Sequence, residues 1–515
     1  MNGLHALDYG ILLLYGAIVI FICLRVAQRD PGEDELFLAG RTLGAGVVGL
    51  SLFASNISST TLIGLPGAAW ETGISVANYE WMAAVVLVFT AIFVVPIFIR
   101  SRVTTVPELL ERRFDGRLRK YLSGVTVFLS IALDTAGSLY AGALVLMLFF
   151  PGLSLTPTVV LIAVFAGLYT AAGGLRAVAY TDVLQAVILL IGSTVLFVLV
   201  FAEFDYAWSN VTAALDTERL SLIRPLDDAA MPWLGTLIGL PVLGFYYWTM
   251  NQYVSQRLLG ARSVQAAGQG ALIAAALKLL PLFLMVLPGA MAAVLLTDLE
   301  RADQVFPMLI AEYAPVGMAG LLLAGLLGAI MSSVDSALNS ASTLITVDFI
   351  KPRRPQMGSR DVARTGRWIT ITLMLLAAAW APMIDNFPGL FAYLQQGFAY
   401  VTPPLVAVFL LGLFHHRLAA PAALATLVSG HGISVVWFIG SQVGLLEVHF
   451  TIVAGVLFGI SLLLAGVWQM LLGGAVAPEQ LRQADRSGAG AAPRSITVGG
   501  IVLLLITAGI VLLFR

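Results

Sequence analysis

The chain has 515 residues, 59% hydrophobic and 11% charged, with 28 Lys and Arg against 29 Asp and Glu and a formal net charge of −1. A soluble domain carries about 25% charged residues, so this chain cannot clothe a water-facing surface; in a membrane the placement of charge matters and its sum does not, and no nucleic-acid partner is expected. The single cysteine, Cys23, excludes an intrachain disulfide and every Cys-rich metal site.

Apolar runs of about 20 residues, enough to span about 30 Å of hydrocarbon at about 1.5 Å per helical residue, recur from end to end. They place fourteen spans near 8–28, 46–68, 78–99, 122–149, 157–175, 180–203, 233–256, 266–297, 316–348, 368–385, 389–413, 418–441, 449–471 and 496–514. The fold class is an all-α polytopic membrane protein in a lipid bilayer. The first run has no basic residue before it and no small-residue cleavage site after it, which reads as a retained helix and not a signal peptide. Sorting the basic residues between alternate loops puts 23 of the 28 in the odd-numbered connections, Arg257 among them. The other side keeps Arg219, Arg224, Arg301 and Arg515, and Lys278 falls within a span. By the positive-inside rule both termini are then extracytoplasmic. The stretch Gly488 to Pro493 reads as a flexible linker before the last helix, and His415 with His416 as an interfacial pair.

Some spans break the rules for lipid-facing helices. The second carries a polar cluster from Ser55 to Thr61 followed by Gly64 and Pro66, and the seventh carries Pro241, Gly244 and then aromatic and amide residues. Interrupted helices explain both, because main-chain groups freed by a break are tolerated at membrane depth where protein, water or a ligand satisfies them. Paired breaks point to a transporter site built from two repeats of opposite orientation; the alternative is that Gly and Pro are simply commoner in membrane helices. In the ninth span, GAIMSSVDSALNSAS, Ala329, Ser332, Ser333, Ser336 and Ser340 fall on one helical stripe. Neutral hydroxyl and carbonyl oxygens suit a small alkali cation, whereas small serines also permit tight helix packing. Packing is the better account of Ser340 and Ser342, and ion binding that of Ser332 and Ser333.

Ionisable residues within the spans are Glu80, Asp134, Asp182, Lys278 and Asp335. Each costs about 2.5 to 3.5 kcal/mol at a helix centre on insertion scales, which makes each a functional candidate by default. Glu80 and Lys278 are placed to pair around a polar ligand. Asp182 and Asp335 either share a cation or make coupling depend on protons through Asp335, and a buried structural hydrogen bond is the plain alternative for each. No HExxH, GxSxG or phosphate-loop pattern points to an enzyme, and no filter-like repeat points to a channel.

The stretches GLYTAAGGLRAVAYTDVLQ (167–185), SNISSTTLIG (55–64) and MSSVDSALNSASTLITVDF (331–349) resemble the solute:sodium symporter family. NYEWM (78–82), FYYWTMNQYVSQR (245–257), ALKLLP (276–281) and AVFLLGLF (407–414) are most similar to its sodium/glucose cotransporters, such as the bacterial sodium/galactose symporter. The resemblance implies a leucine-transporter-type fold of five-plus-five inverted repeats. The repeats would occupy 46–232 and 233–417, with one helix before them in 1–45 and three after them in 418–515. It implies a sodium site of main-chain oxygens from Ala54, Ile57 and Ala329 and hydroxyls from Ser332 and Ser333. It implies sugar contacts at Glu80, Lys278 and Gln395, beside Trp248, with Tyr247 closing the cytoplasmic side. Thr61 and Gly244 stand where the family has a glutamine and an asparagine, Ala83 where it has a serine, and Asp134 where it has another asparagine. A second cation site in some relatives would fall on Asp182 and hydroxyls near Ser336, with Asp335 where those relatives have Ser or Thr. The expected activity is sodium-coupled import of a hexose-like sugar across the cell membrane, with Na+ as coupling ion. Other small solutes of the family, namely inositol, sialic acid or an amino acid, and proton coupling through Asp335 and Asp182 are the alternatives.

Overall fold

The structure, a computed structural model, describes residues 5–26, 33–57, 59–150, 152–297, 299–386, 390–415, 417–474 and 491–515. His416 and residues 488–490 of the expected linker lie outside these, as do the side chains of Ser58 to Thr60 and of 167–174 within the motifs quoted above.

Inside hydrocarbon a segment satisfies every main-chain N–H and C=O most simply by bonding them to itself. Among the described residues all regular structure is accordingly helical, apart from two isolated bridges, Leu43 with Ala261 and Arg224 with Pro232. In chain order the first group is α1 (Ala6–Val26), α2 (Ala45–Asn56), α3 (Ser59–Thr72), α4 (Asn78–Phe89), α5 (Gly116–Leu129), α6 (Ala136–Phe149) and α7 (Leu155–Ala202). The second is α8 (Trp233–Ile238), α9 (Leu240–Phe245), α10 (Gln252–Leu259), α11 (Val264–Leu277), α12 (Met318–Leu344), α13 (Ser359–Trp380) and α14 (Leu390–Phe414). Then come α15 (Ala420–Gln442), α16 (Phe450–Leu472) and α17 (Arg494–Leu513). Ten spans among the described residues are long and apolar enough to cross a bilayer, eleven if the bent pair α2 and α3 is one span. The sequence count of fourteen is higher because it includes the shorter apolar stretches Ala6–Ile22 and Leu155–Ala166 and the seventh segment, which is cut into pieces.

The α12 helix lies at the centre. The most apolar stretch of Met318–Arg353 is 83% buried, against 17% for α17, so α12 is wrapped by protein while α17 faces lipid. Small residues permit the wrapping. Gly320 receives the α1 backbone at Asp8, Gly325 receives Ile188 and Leu189, and Gly328 receives Gln185. Asp8 accepts hydrogen bonds from the amides of Gly317 at 2.8 Å and Gly320 at 2.7 Å, and so caps the start of α12 from a neighbouring helix. The expectation that Ser342 serves packing matches its hydroxyl, which donates to the Gly366 carbonyl at 2.6 Å and ties α12 to α13.

α7 carries both the fifth and the sixth expected spans. Ile162 packs with Ile330 against Gly142, while Gln185 packs against Gly328. A straight helix would hold Ile162 and Gln185 about 34 Å apart, yet both reach one turn of α12. Both parts of this long element therefore pack on the same stretch of α12.

The break in the second span falls where the polar cluster predicts it. Asn56 ends α2, and Ile57 leaves helical geometry at φ −71°, ψ 66°. The Thr61 hydroxyl donates to the Asn56 carbonyl at 2.7 Å, satisfying an oxygen that the break frees. The seventh segment breaks later than Pro241 and Gly244 suggest. Pro241 sits in the first turn of α9, where its missing N–H is not needed, and the interruption comes at Asn251 (φ −61°, ψ 123°), whose side chain accepts from the Tyr253 amide at 3.4 Å. Among the described residues five wide π-helical turns interrupt the spans, Tyr246–Met250 in this seventh segment and Thr90–Val94, Ser130–Thr135, Leu282–Val286 and Ile345–Ile350 elsewhere. Near the end carrying most basic residues, buried Asp348 accepts from Arg119, Thr105 and Ser123, fastening α5 to the continuation of α12.

At the opposite end α8 and α16 meet closely. A side-chain carbon at Gly235 or Gly239 would collide with Thr451. His449 precedes α16, accepts from the Thr451 amide at 3.3 Å and lies against Phe450. Burial pushes the His449 imidazole down to about 4, against the pull of Asp228 and the Ala230 backbone. A base held below its ordinary value of 6.5 adds stability that is complete above 6.5 and lost as pH falls towards 4. Thermal midpoints of the purified protein between about pH 7 and about pH 4 should fall more steeply for the parent than for His449→Gln. Parallel curves would remove His449 as the cause.

Candidate functional site

Helix ends and wide turns place the chemistry. Glu80 sits in the first turn of α4 and Lys278 caps the C-terminus of α11, so each charge meets the helix end of opposite polarity. Asp134 comes from the π turn Ser130–Thr135, and Tyr247 and Trp248 from the π turn Tyr246–Met250, a local geometry common at functional sites. These residues converge on a cavity of about 110 Å³, room for several water molecules. Thr61, Glu80, Asp134, Tyr247, Trp248 and Gln395 all line it, together with Asn56, Tyr253 and Ser333.

Lys278 stands behind the wall, fully buried. Its ammonium bonds the Glu80 carboxylate and the Asn56 amide oxygen, and lies 5.2 Å from the centre of the Trp248 ring. A buried charge of either sign is costly alone, and each here cancels the other. Asn56 escaped the sequence reading as a site residue, although it lies inside the quoted SNISSTTLIG. Tyr247 bonds its hydroxyl to that of Tyr253 and packs edge-on against Phe398 at 6.2 Å, making an aromatic wall of the cavity. Thr61 spends its hydroxyl on the α2–α3 break. The Asp134 carboxylate accepts a hydrogen bond from the Asn251 amide at 3.4 Å.

The five residues expected to hold sodium lie on two helices that pack together, Ala54 and Ile57 at the end of α2, and Ala329, Ser332 and Ser333 on α12. Ser333 reaches the cavity and donates to the Ala329 carbonyl at 2.8 Å. Ser332 donates to Asp182. Asp182, fully buried on α7, also accepts from Ser51 at 2.5 Å, Ser55 at 3.2 Å and the Arg257 guanidinium at 2.8 Å.

Arg257 corrects the count of loop charges. It is fully buried on α10, where its guanidinium bonds Asp182, Ser51 at 2.6 Å, Ser336 at 2.6 Å and the Tyr253 carbonyl. Sorting charges by loop could not separate an arginine just past a span from one that α10 turns back into the protein. Its guanidinium therefore stands between Asp182 and Ser336, two of the three residues expected to form a second cation site. The third, Asp335, is buried on α12 and is not among the described partners of Arg257.

The sodium:solute symporter family model matches residues 36–430. The chain is 34% identical over 459 residues to a sodium/glucose cotransporter of Vibrio parahaemolyticus, covering 83% of this chain and 84% of that one. It is 34% identical over 467 residues to the human sodium/myo-inositol cotransporter 2, covering 83% and 69%. Among solved structures, a Na+-coupled sialic acid symporter in a substrate-bound outward-open state superposes with a TM-score of 0.80 at 23% identity, covering 92% of this chain and 99% of that chain. The fold is therefore shared with that symporter.

Replacing one member of a buried ion pair strands the other, a loss of about 3 to 5 kcal/mol. Lys278→Met should accordingly lower the thermal midpoint of purified protein well below that of the parent. Adding Glu80→Gln to Lys278→Met should recover part of the loss, and an additive double-mutant cycle would show that the two groups are not coupled.

Proposed function

The chain belongs to the sodium:solute symporter family, and on that footing we propose that it imports a hexose-like solute with sodium by alternating access. The observation that carries this reading is the Glu80–Lys278 pair, lying with Gln395 and two aromatic rings around one cavity beside the α2–α3 break. An ion pair backed by an amide offers donors and acceptors to several hydroxyls at once, while aromatic faces receive the apolar face of a sugar ring. Relatives named for glucose and myo-inositol and a neighbour named for sialic acid support a polyhydroxylated solute.

In this reading the chain crosses the cell membrane fourteen times with both termini outside. Five-helix inverted repeats occupy 46–232 and 233–417, with one helix before them and three after. Sodium binds between the main-chain oxygens of Ala54, Ile57 and Ala329 and the hydroxyls of Ser332 and Ser333, once Ser332 turns from Asp182. Bound there, it joins α2 to α12 and favours the outward-open state. The solute docks against Glu80 and Gln395, with Lys278 holding Glu80 from behind the wall, and the gate closes. Loss of sodium to the cytoplasm loosens the junction, Tyr247 swings aside and the solute leaves. Coupling requires each ligand to prefer one conformation, since equal affinity for both shifts nothing. One Na+ crossing about 100 mV supplies about 2.3 kcal/mol and a tenfold gradient about 1.4 more, together about 500-fold accumulation. For Asp182, Asp335 and Ser336 to hold a second cation Arg257 has to withdraw, so its position supports one sodium per cycle.

Proteoliposomes containing the purified protein should accumulate a labelled hexose when sodium is outside and fail to do so with choline. Ser332→Ala or Ser333→Ala should raise the sodium concentration for half-maximal uptake about tenfold, the equivalent of one weakened ion contact. Equal accumulation in choline would overturn the coupling, and unchanged sodium dependence in both variants would overturn the site.

A further inference from the structure

We propose that the transported solute carries a protonated amine that pairs with Asp134, so that the cavity selects an amino-substituted hexose over a neutral one. The proposal rests on the reading of this cavity as the solute site of a sodium-coupled carrier. It follows from charge accounting. Three of the buried carboxylates have their counter-charge inside the protein, Glu80 from Lys278, Asp182 from Arg257 and Asp348 from Arg119, while Asp8 is held by the amides of Gly317 and Gly320 and neither it nor Asp335 lines the cavity. Asp134 makes no ion pair among the described residues, and the described hydrogen bond of its carboxylate is a long one of 3.4 Å to the neutral Asn251 amide. It lines the same cavity as Glu80. Among the described residues the wall therefore holds two carboxylates and no arginine or lysine, and the Lys278 ammonium behind it is already committed to Glu80.

A carboxylate facing a space that the solute fills loses its water as the solute enters, and it stays charged there only if a positive charge arrives in exchange, taking up a proton otherwise. A neutral hydroxyl returns only a hydrogen bond. An ammonium returns a charge-assisted one, and the bonded hydroxyls of Tyr247 and Tyr253 on the same wall supply further acceptor oxygens. Gly244 adds no side chain to the lining, where even a single carbon would press on Val86 at 3.3 Å.

The test is competition for sodium-driven uptake in proteoliposomes among three probes: a 2-amino-2-deoxyhexose, the parent neutral hexose and the N-acetylated amino sugar, which has lost the charge. The amino sugar should compete at about tenfold lower concentration than either neutral probe. Asp134→Asn should erase that preference and Asp134→Glu should keep it, with the sodium-induced thermal shift confirming that each variant is folded. A parent that takes neutral hexose as well as the amino sugar, and an Asp134→Asn variant with the same ranking, would overturn the proposal while leaving sodium-coupled sugar transport intact. Absence of sodium-driven uptake for all three probes would overturn the underlying sugar reading, and this proposal with it.

Discussion

A charge held at membrane depth needs its opposite within the protein, and the arrangement of this molecule turns on two such matches. Glu80 with Lys278 joins α4 to α11, and Asp182 with Arg257 joins α7 to α10. In each, the partners come from opposite sides of the Trp233 boundary between the proposed repeats. Neutral groups complete both: Asn56 on the ammonium, Ser51 and Ser336 on the guanidinium. Separating either pair in hydrocarbon would cost several kcal/mol per ion. Relative motion of the halves is therefore limited to displacements that keep these contacts, or that replace one of them with a ligand of the right charge.

The same economy governs the broken helices. A helix that stops inside the membrane exposes carbonyls at one stump and amides at the other, and here side chains near the breaks claim several of these. Thr61 takes the Asn56 carbonyl, Asn251 takes the Tyr253 amide, and Ser255 donates to the Thr249 carbonyl at 2.6 Å. These bonds keep the stumps in place without regular structure, beside the cavity that Asn56, Thr61 and Tyr253 line. The Glu80 and Lys278 positions follow the same logic, since each charge sits where the helix end already favours it.

Much of this was legible in the sequence, and the exceptions are physical. The polar run Ser55 to Thr61 announced the first break, because six polar residues in a stretch of seven are out of place inside an apolar span. Of the ionisable residues that insertion cost singles out within spans, Glu80 and Asp134 line the cavity and Lys278 stands behind it, whereas Asp182 and Asp335 do not line it. The second break was harder to place, because a proline at a helix start looks the same in sequence as one that ends a helix, and Asn251 gave no stronger sign than its neighbours. Arg257 was misread for a related reason. Loop counting assumes that the chain stays outside once it leaves a span, and α10 turns back in. Asn56 lay in plain view within its motif, but its use depends on the reach of Lys278 across from α11, which no local pattern encodes.

The wide π turns carry a consequence for how such chains diverge. Each accommodates one residue more than the ordinary helix around it, bulging that residue outward while the flanking faces stay in phase. Loss of a single codon within Ser130–Thr135 or Tyr246–Met250 would thus tighten the turn to a regular helix instead of rotating everything downstream by a third of a circle. Those segments are where a span can shorten or lengthen by one position and keep the rest of the bundle aligned, while re-aiming the side chains of Asp134, Tyr247 and Trp248 on the cavity wall.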